Sequence, residues 1–112
     1  MEAHEPWAPP VVLPDGAPVP DGMADAGTAP PADRVAELVA AGRPVLVTLA
    51  AEPGGAGGPD SGLLAAASVY AWLGVRGFRA PESQLPALRQ VLDMVASIQG
   101  RRPPALTRRG LA

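Results

Sequence analysis

Cysteine is absent from this chain, and so is lysine. The first absence excludes disulfide scaffolds, thiolate zinc sites and cysteine nucleophiles. The second excludes Walker A phosphate binding and Schiff-base chemistry, since both need a lysine ammonium group. Histidine occurs once, as His4, so a metal centre would have to rest on carboxylates; we assign His4 no role and expect neither metal nor cofactor. No apolar run approaches the roughly 20 residues that span a bilayer, and the N-terminus has no basic stretch followed by an apolar one. The expectation is a soluble, cytoplasmic protein with no membrane contact.

Punctuating residues are plentiful instead. The 112 residues include 15 Pro and 13 Gly, concentrated before position 31 and in the loop after Glu52, which leaves a small core. The net charge of -2 hides a split: Glu2, Glu5, Asp15, Asp21, Asp25 and Asp33 precede the first arginine, while Arg101, Arg102, Arg108 and Arg109 crowd the other end. Residues 1–31 show neither a two-residue nor a 3.6-residue apolar period and are expected to be a disordered acidic leader, with Trp7 as a solvent-exposed aromatic. Residues 101–112 form a basic tail without aromatic partners, which reads as a solvated segment rather than a nucleic-acid contact.

Between them lies one domain, residues 32–100. Ala32 to Ala41 is predicted helical, with Asp33 in the first turn, Val35, Leu38 and Val39 on one face and Gly42 as the stop. Val45 to Ala50 is a short apolar run rich in β-branched residues, as expected of a parallel strand covered on both faces. The loop Glu52 to Asp60 is glycine-rich, but Asp60 stands where a dinucleotide fingerprint needs its third glycine, so the loop reads as a plain connector. Asp60 or Ser61 caps the next helix, Gly62 to Leu73, in which Tyr70 and Trp72 are expected to pack, and Gly74 ends it. A second strand, Val75 to Arg79, follows, then a helix from Gln84 to Gln99 capped by Ser83, with Pro86 in its first turn and an apolar stripe of Leu85, Leu88, Val91, Leu92, Val95 and Ile98. The fold class is therefore α/β: helix-strand-helix-strand-helix, two parallel strands and a right-handed crossover, as in partial TIM-barrel βα repeats.

Particular residues narrow this. Glu37 to Val47, Asp60 opening an alanine-rich helix, Gly74 to Arg79 and the final amphipathic helix together resemble the C-terminal end of dihydropteroate synthase, a pterin-binding TIM barrel, over about Asp33 to Gly100. The resemblance implies that the two strands are the seventh and eighth of a barrel. It also implies that a Ser-Arg-Lys signature, whose lysine binds pterin, should fall on Ala50, Ala51 and Glu52. An Arg-x-His motif that holds the pyrophosphate leaving group should fall on Arg79 and Pro81, with a following aspartate at Glu82. Only Arg79 keeps the family residue, so it is the one candidate substrate or anion ligand, and no catalytic residue is assigned.

With the first five barrel elements missing, a complete synthase is not expected from this chain. The resemblance further implies association through the retained helices, either as a homo-oligomer or with a related barrel protein such as a full-length folate-pathway synthase, with pterin or another anion as a residual ligand. The alternatives are a composite synthase to which Arg79 contributes an anion site, and an inert remnant.

Overall fold

The computed structural model describes residues 8–51 and 58–100. The expectations placed on His4, Trp7, Glu52 and the basic tail lie outside the described residues.

The α/β class holds, but the strand count does not. Four strands form one parallel sheet: β1 (Val11–Pro14), β2 (Ala24–Thr28), β3 (Val45–Thr48) and β4 (Gly77–Ala80), in the order β1-β4-β3-β2. Two of them lie in the stretch expected to be a disordered leader. β1 pairs with β4 from Val11 opposite Gly77 to Pro14 opposite Ala80, and β2 pairs with β3 from Ala24 opposite Val45. Each is an edge strand four or five residues long, with no apolar period to announce it; the ladder partner supplies what the local sequence lacks. Pro14 closes β1 at the edge of the sheet, where the flanking Val11 and Asp15 N–H groups face β4 and no ladder partner requires an N–H at position 14. Between Asp25 and Thr28 the β2–β3 register slips by one residue, and Gly27 takes a φ of 93° there, as a bulge requires.

Three helices cover one face of the sheet: α1 (Ala32–Ala40), α2 (Ser61–Leu73) and α3 (Leu85–Ile98). Alternation along the strands decides which residues meet them. Val45, Val47, Phe78 and Ala80 are wholly buried on the helix side against Val35, Ala67 and Leu88. Helices on one face of a parallel sheet is the layering of a βα barrel rather than of a doubly wound sheet, here open at both edges.

The helix stops work as expected. Gly42, Gly74 and Gly100 adopt φ of 98°, 108° and 76°, all in the left-handed region. Asp60 is the cap of α2, its carboxylate accepting from the Leu63 N–H at 3.0 Å.

Two local readings change. The second of the expected strands begins at Gly77 instead of Val75, because the Val75 N–H is taken by the Tyr70 carbonyl at 3.1 Å in the helix-terminating turn. Ser83 does not cap α3; a 3-10 turn, Glu82–Gln84, leads into it without a side-chain cap.

The segment joining β1 to β2 has to cross the sheet, since these strands sit at opposite edges. It does so over the face without helices, where Leu46 and Gly77 are buried. β3 is thus covered on both sides, as its composition suggests, although one cover is an extended chain rather than a helix.

Candidate functional site

In a parallel βα sheet, ligand chemistry is found beyond the C-terminal ends of the strands. Those ends here are Thr48 to Ala51 after β3 and Ala80 to Glu82 after β4. Ala50 and Ala51 are exposed methyl groups, Ala80 is fully buried, Pro81 is half-buried and Glu82 is exposed. Of these five side chains, only that of Glu82 can accept a hydrogen bond or transfer a proton.

Arg79 lies on β4 with its side chain on the helix-free face and 17% exposed. Its guanidinium is heavily committed. Nε donates to Thr48 Oγ1 at 2.9 Å, Nη1 to the Ala17 carbonyl at 2.9 Å and Nη2 to Asp25 Oδ2 at 3.1 Å. One side chain therefore ties together β4, β3, β2 and the segment that crosses them. Asp25 is itself positioned, since its Oδ1 accepts from the Gly27 N–H at 2.9 Å within the bulge. An anion arriving at Arg79 would have to compete with a carboxylate already in contact.

In the turn that follows β4, Gln84 fastens the residues leading into α2. It is 5% exposed; its Oε1 accepts from the Asp60 N–H at 2.8 Å and its Nε2 donates to the Gly58 carbonyl at 3.1 Å. Among the described residues no buried side-chain polar atom lacks a hydrogen-bond partner, and no group of three or more His, Asp and Glu residues is gathered as a metal site.

Tyr70 packs as expected, its hydroxyl donating to the Pro30 carbonyl at 2.7 Å, and burial pushes its pKa up. Trp72 does not: it is 55% exposed. It shares an end of the helical layer with Ile98, because Gln99 Nε2 donates to the Trp72 carbonyl at 3.1 Å.

Asp25, Thr48 and Gln84 were not anticipated. Thr48 is the one hydroxyl in an otherwise aliphatic strand, and that contrast could have marked it. The crossing segment carries a clearer signal, Pro14-Asp15-Gly16 and Pro20-Asp21-Gly22, a turn triplet repeated at an interval of six.

The protein-family models contain no match to the chain. Among curated proteins it is 49% identical over 85 residues to the inactive dihydropteroate synthase 2 of Mycobacterium leprae, a match covering 70% of this chain and 28% of that protein. The protein of the same name from Mycobacterium tuberculosis strain H37Rv is 48% identical over 85 residues, covering 70% and 26%. The chain is dihydropteroate-synthase-like. It spans only about a quarter of the length of the curated relatives it matches. The solved structure of Mycobacterium tuberculosis Rv1207 aligns with this dihydropteroate-synthase-like chain at a TM-score of 0.49 and 46% identity, covering 65% of this chain and 28% of that one. Among the described residues, no helix is long and apolar enough to cross a membrane.

Proposed function

We propose that this dihydropteroate-synthase-like chain is a cytoplasmic, non-catalytic protein that acts by association, first with a second copy of itself and alternatively with a full-length synthase of the folate pathway. The observation that carries this reading is the surface of α2. The helix has no charged residue from Ser61 to Leu73 and is apolar around most of its circumference, yet only one side of it meets the core. A helix of that composition is normally covered all round. Val69 and Trp72 remain 53% and 55% exposed, and the neighbouring α3 adds exposed Met94 and Ile98. Exposed apolar residues on adjoining helices are what an intersubunit contact buries.

Three further observations support a non-catalytic role. Ala50, Ala51 and Pro81 stand at positions where the resemblance expects polar or charged ligands. The curated relatives carry the name inactive dihydropteroate synthase 2. Arg79, which a composite synthase would need as an anion ligand, is held by Asp25, Thr48 and Ala17.

Size-exclusion chromatography with light scattering, with and without a full-length dihydropteroate synthase from the same source, tests the proposal. The expected result is a dimer or larger species that Trp72→Glu converts to monomer with its circular dichroism retained. A wild-type monomer under both conditions overturns the association reading. Turnover of dihydropterin pyrophosphate and 4-aminobenzoate by the chain alone overturns the non-catalytic one.

A further inference from the structure

Asp15 to Met23 is the connection between two strands that are consecutive in the chain and at opposite edges of the sheet. Each of its ends is a tight turn. The Ala17 N–H returns to the Pro14 carbonyl at 3.1 Å around Gly16, φ 85°, and the Met23 N–H returns to the Pro20 carbonyl at 3.1 Å around Gly22, φ 86°. None of its residues is buried; all are half-buried or exposed. Apolar burial therefore holds this segment only weakly, while Leu46 and Gly77 beneath it are shut off from water.

Its first residue continues the β1–β4 ladder, the Asp15 N–H donating to the Ala80 carbonyl at 3.0 Å, and two side-chain contacts fasten the rest. Arg79 Nη1 donates to the Ala17 carbonyl at 2.9 Å. Met23 rests on Gly77 so closely that a Cβ at that position would lie 2.8 Å from Met23 Sδ and 2.8 Å from Leu46 Cδ1. The first contact involves a charged donor and the second depends on a missing side chain, and both belong to β4.

We propose that Asp15–Met23 is a strap that closes the helix-free face of the sheet in cis, with Arg79 as its latch and Gly77 as the seat of Met23, and that it opens as a unit while the helix side stays folded. While the strap is closed, a partner reaches only the helices and the two sheet edges. Opening it exposes Leu46 and frees the Arg79 guanidinium from the Ala17 carbonyl. The strap is independent of whether the chain self-associates, since it lies on the other face of the sheet from α2 and α3.

Amide hydrogen exchange on the full chain tests this, with Ala17 and Met23 N–H reporting on the strap and Leu92 N–H on the helical core. Arg79→Met keeps an apolar stem and removes the latch; Gly77→Ala keeps the latch and unseats Met23. In both variants exchange at Ala17 and Met23 is expected to quicken by about tenfold or more, and by clearly more than at Leu92, which also senses the lost Thr48 and Asp25 contacts of Arg79 and the crowding of Leu46 in Gly77→Ala. Unchanged exchange at Ala17 and Met23 in both variants overturns the proposal. So does equal acceleration at all three positions, which means that the strap does not open separately. For the wild type in low urea, the strap amides are expected to exchange through a smaller opening, with weaker urea dependence than Leu92. An identical urea dependence for all three also overturns the proposal.

Discussion

Arg79 on β4 and Asp25 on β2 form an ion pair, Nη2 to Oδ2 at 3.1 Å, that reaches across the intervening strand β3. The two residues are 54 positions apart in sequence, and the pair links an edge strand to the middle of the sheet. Asp25 is 39% exposed, which places the pair among partly solvated ion pairs rather than buried ones.

Asp25→Ala is therefore expected to cost about 1 kcal/mol or less at low ionic strength. The loss should shrink in high salt, because screening weakens the wild-type pair and has nothing to act on in the variant. Urea denaturation of both proteins at low and high sodium chloride measures this. A salt-independent difference would assign the effect to the bulge geometry that Asp25 also holds.

Tyr70 is the only tyrosine in the chain, so phenolate absorbance reports on it alone. Burial raises its pKa from the ordinary 10.0, so the folded state holds the proton more tightly than the unfolded chain does. The resulting stability is fully present below about pH 10 and is withdrawn as pH rises from there through the folded-state pKa. The wild type is expected to lose urea resistance in that alkaline window, and Tyr70→Phe to lose this part of the pH dependence. At neutral pH the same variant should be less stable by roughly 0.5–1.5 kcal/mol, because the bond to the Pro30 carbonyl is gone.

Gln84→Ala removes both the acceptor for the Asp60 N–H and the donor to the Gly58 carbonyl. A destabilisation of roughly 1–3 kcal/mol is expected, by the cost of leaving a partly buried polar group unpaired. Exchange of the Asp60 amide should quicken more than that of amides in α1. Equal change at both sites would mean that Gln84 supports the whole fold and not this loop.

Gly74→Ala tests the end of α2. Gly74 has a φ of 108°, and an added Cβ would come 3.2 Å from Val39 Cγ1 on α1. Left-handed backbone costs a residue with a side chain about 1–2 kcal/mol before any steric cost. A melting temperature lowered by several degrees is the expected reading, on the scale of roughly 4–8 °C per kcal/mol for a domain of this size.

The part of the fold that could be read directly from the chain is the part with local causes. α1, β3, α2 and α3 emerge from apolar periodicity, from glycines that only a left-handed turn needs, and from a capping aspartate. Each of these acts within a few residues of itself. β1 and β2 could not be read that way. Four or five residues among prolines and glycines have no intrinsic preference strong enough to form a strand, and the repeated Pro-Asp-Gly triplet marks turns without saying what the turns connect.

The site divides along the same line. Which chemistries are closed to this chain follows from residue identity: a polypeptide without lysine or cysteine and with alanine and proline at the strand ends has no side chain there to perform them. What Arg79 does instead is a question of neighbours. Its partners stand at positions 17, 25 and 48, brought to it only when β1 and β2 take the two edges of the sheet and the segment between them crosses β4 and β3. The exposure of Trp72 was settled at the same level, since a helix apolar all round does not itself say which side the sheet will cover. Local composition determined the elements and the missing chemistry, and long-range pairing decided the strap, the engagement of Arg79 and the apolar surface left open.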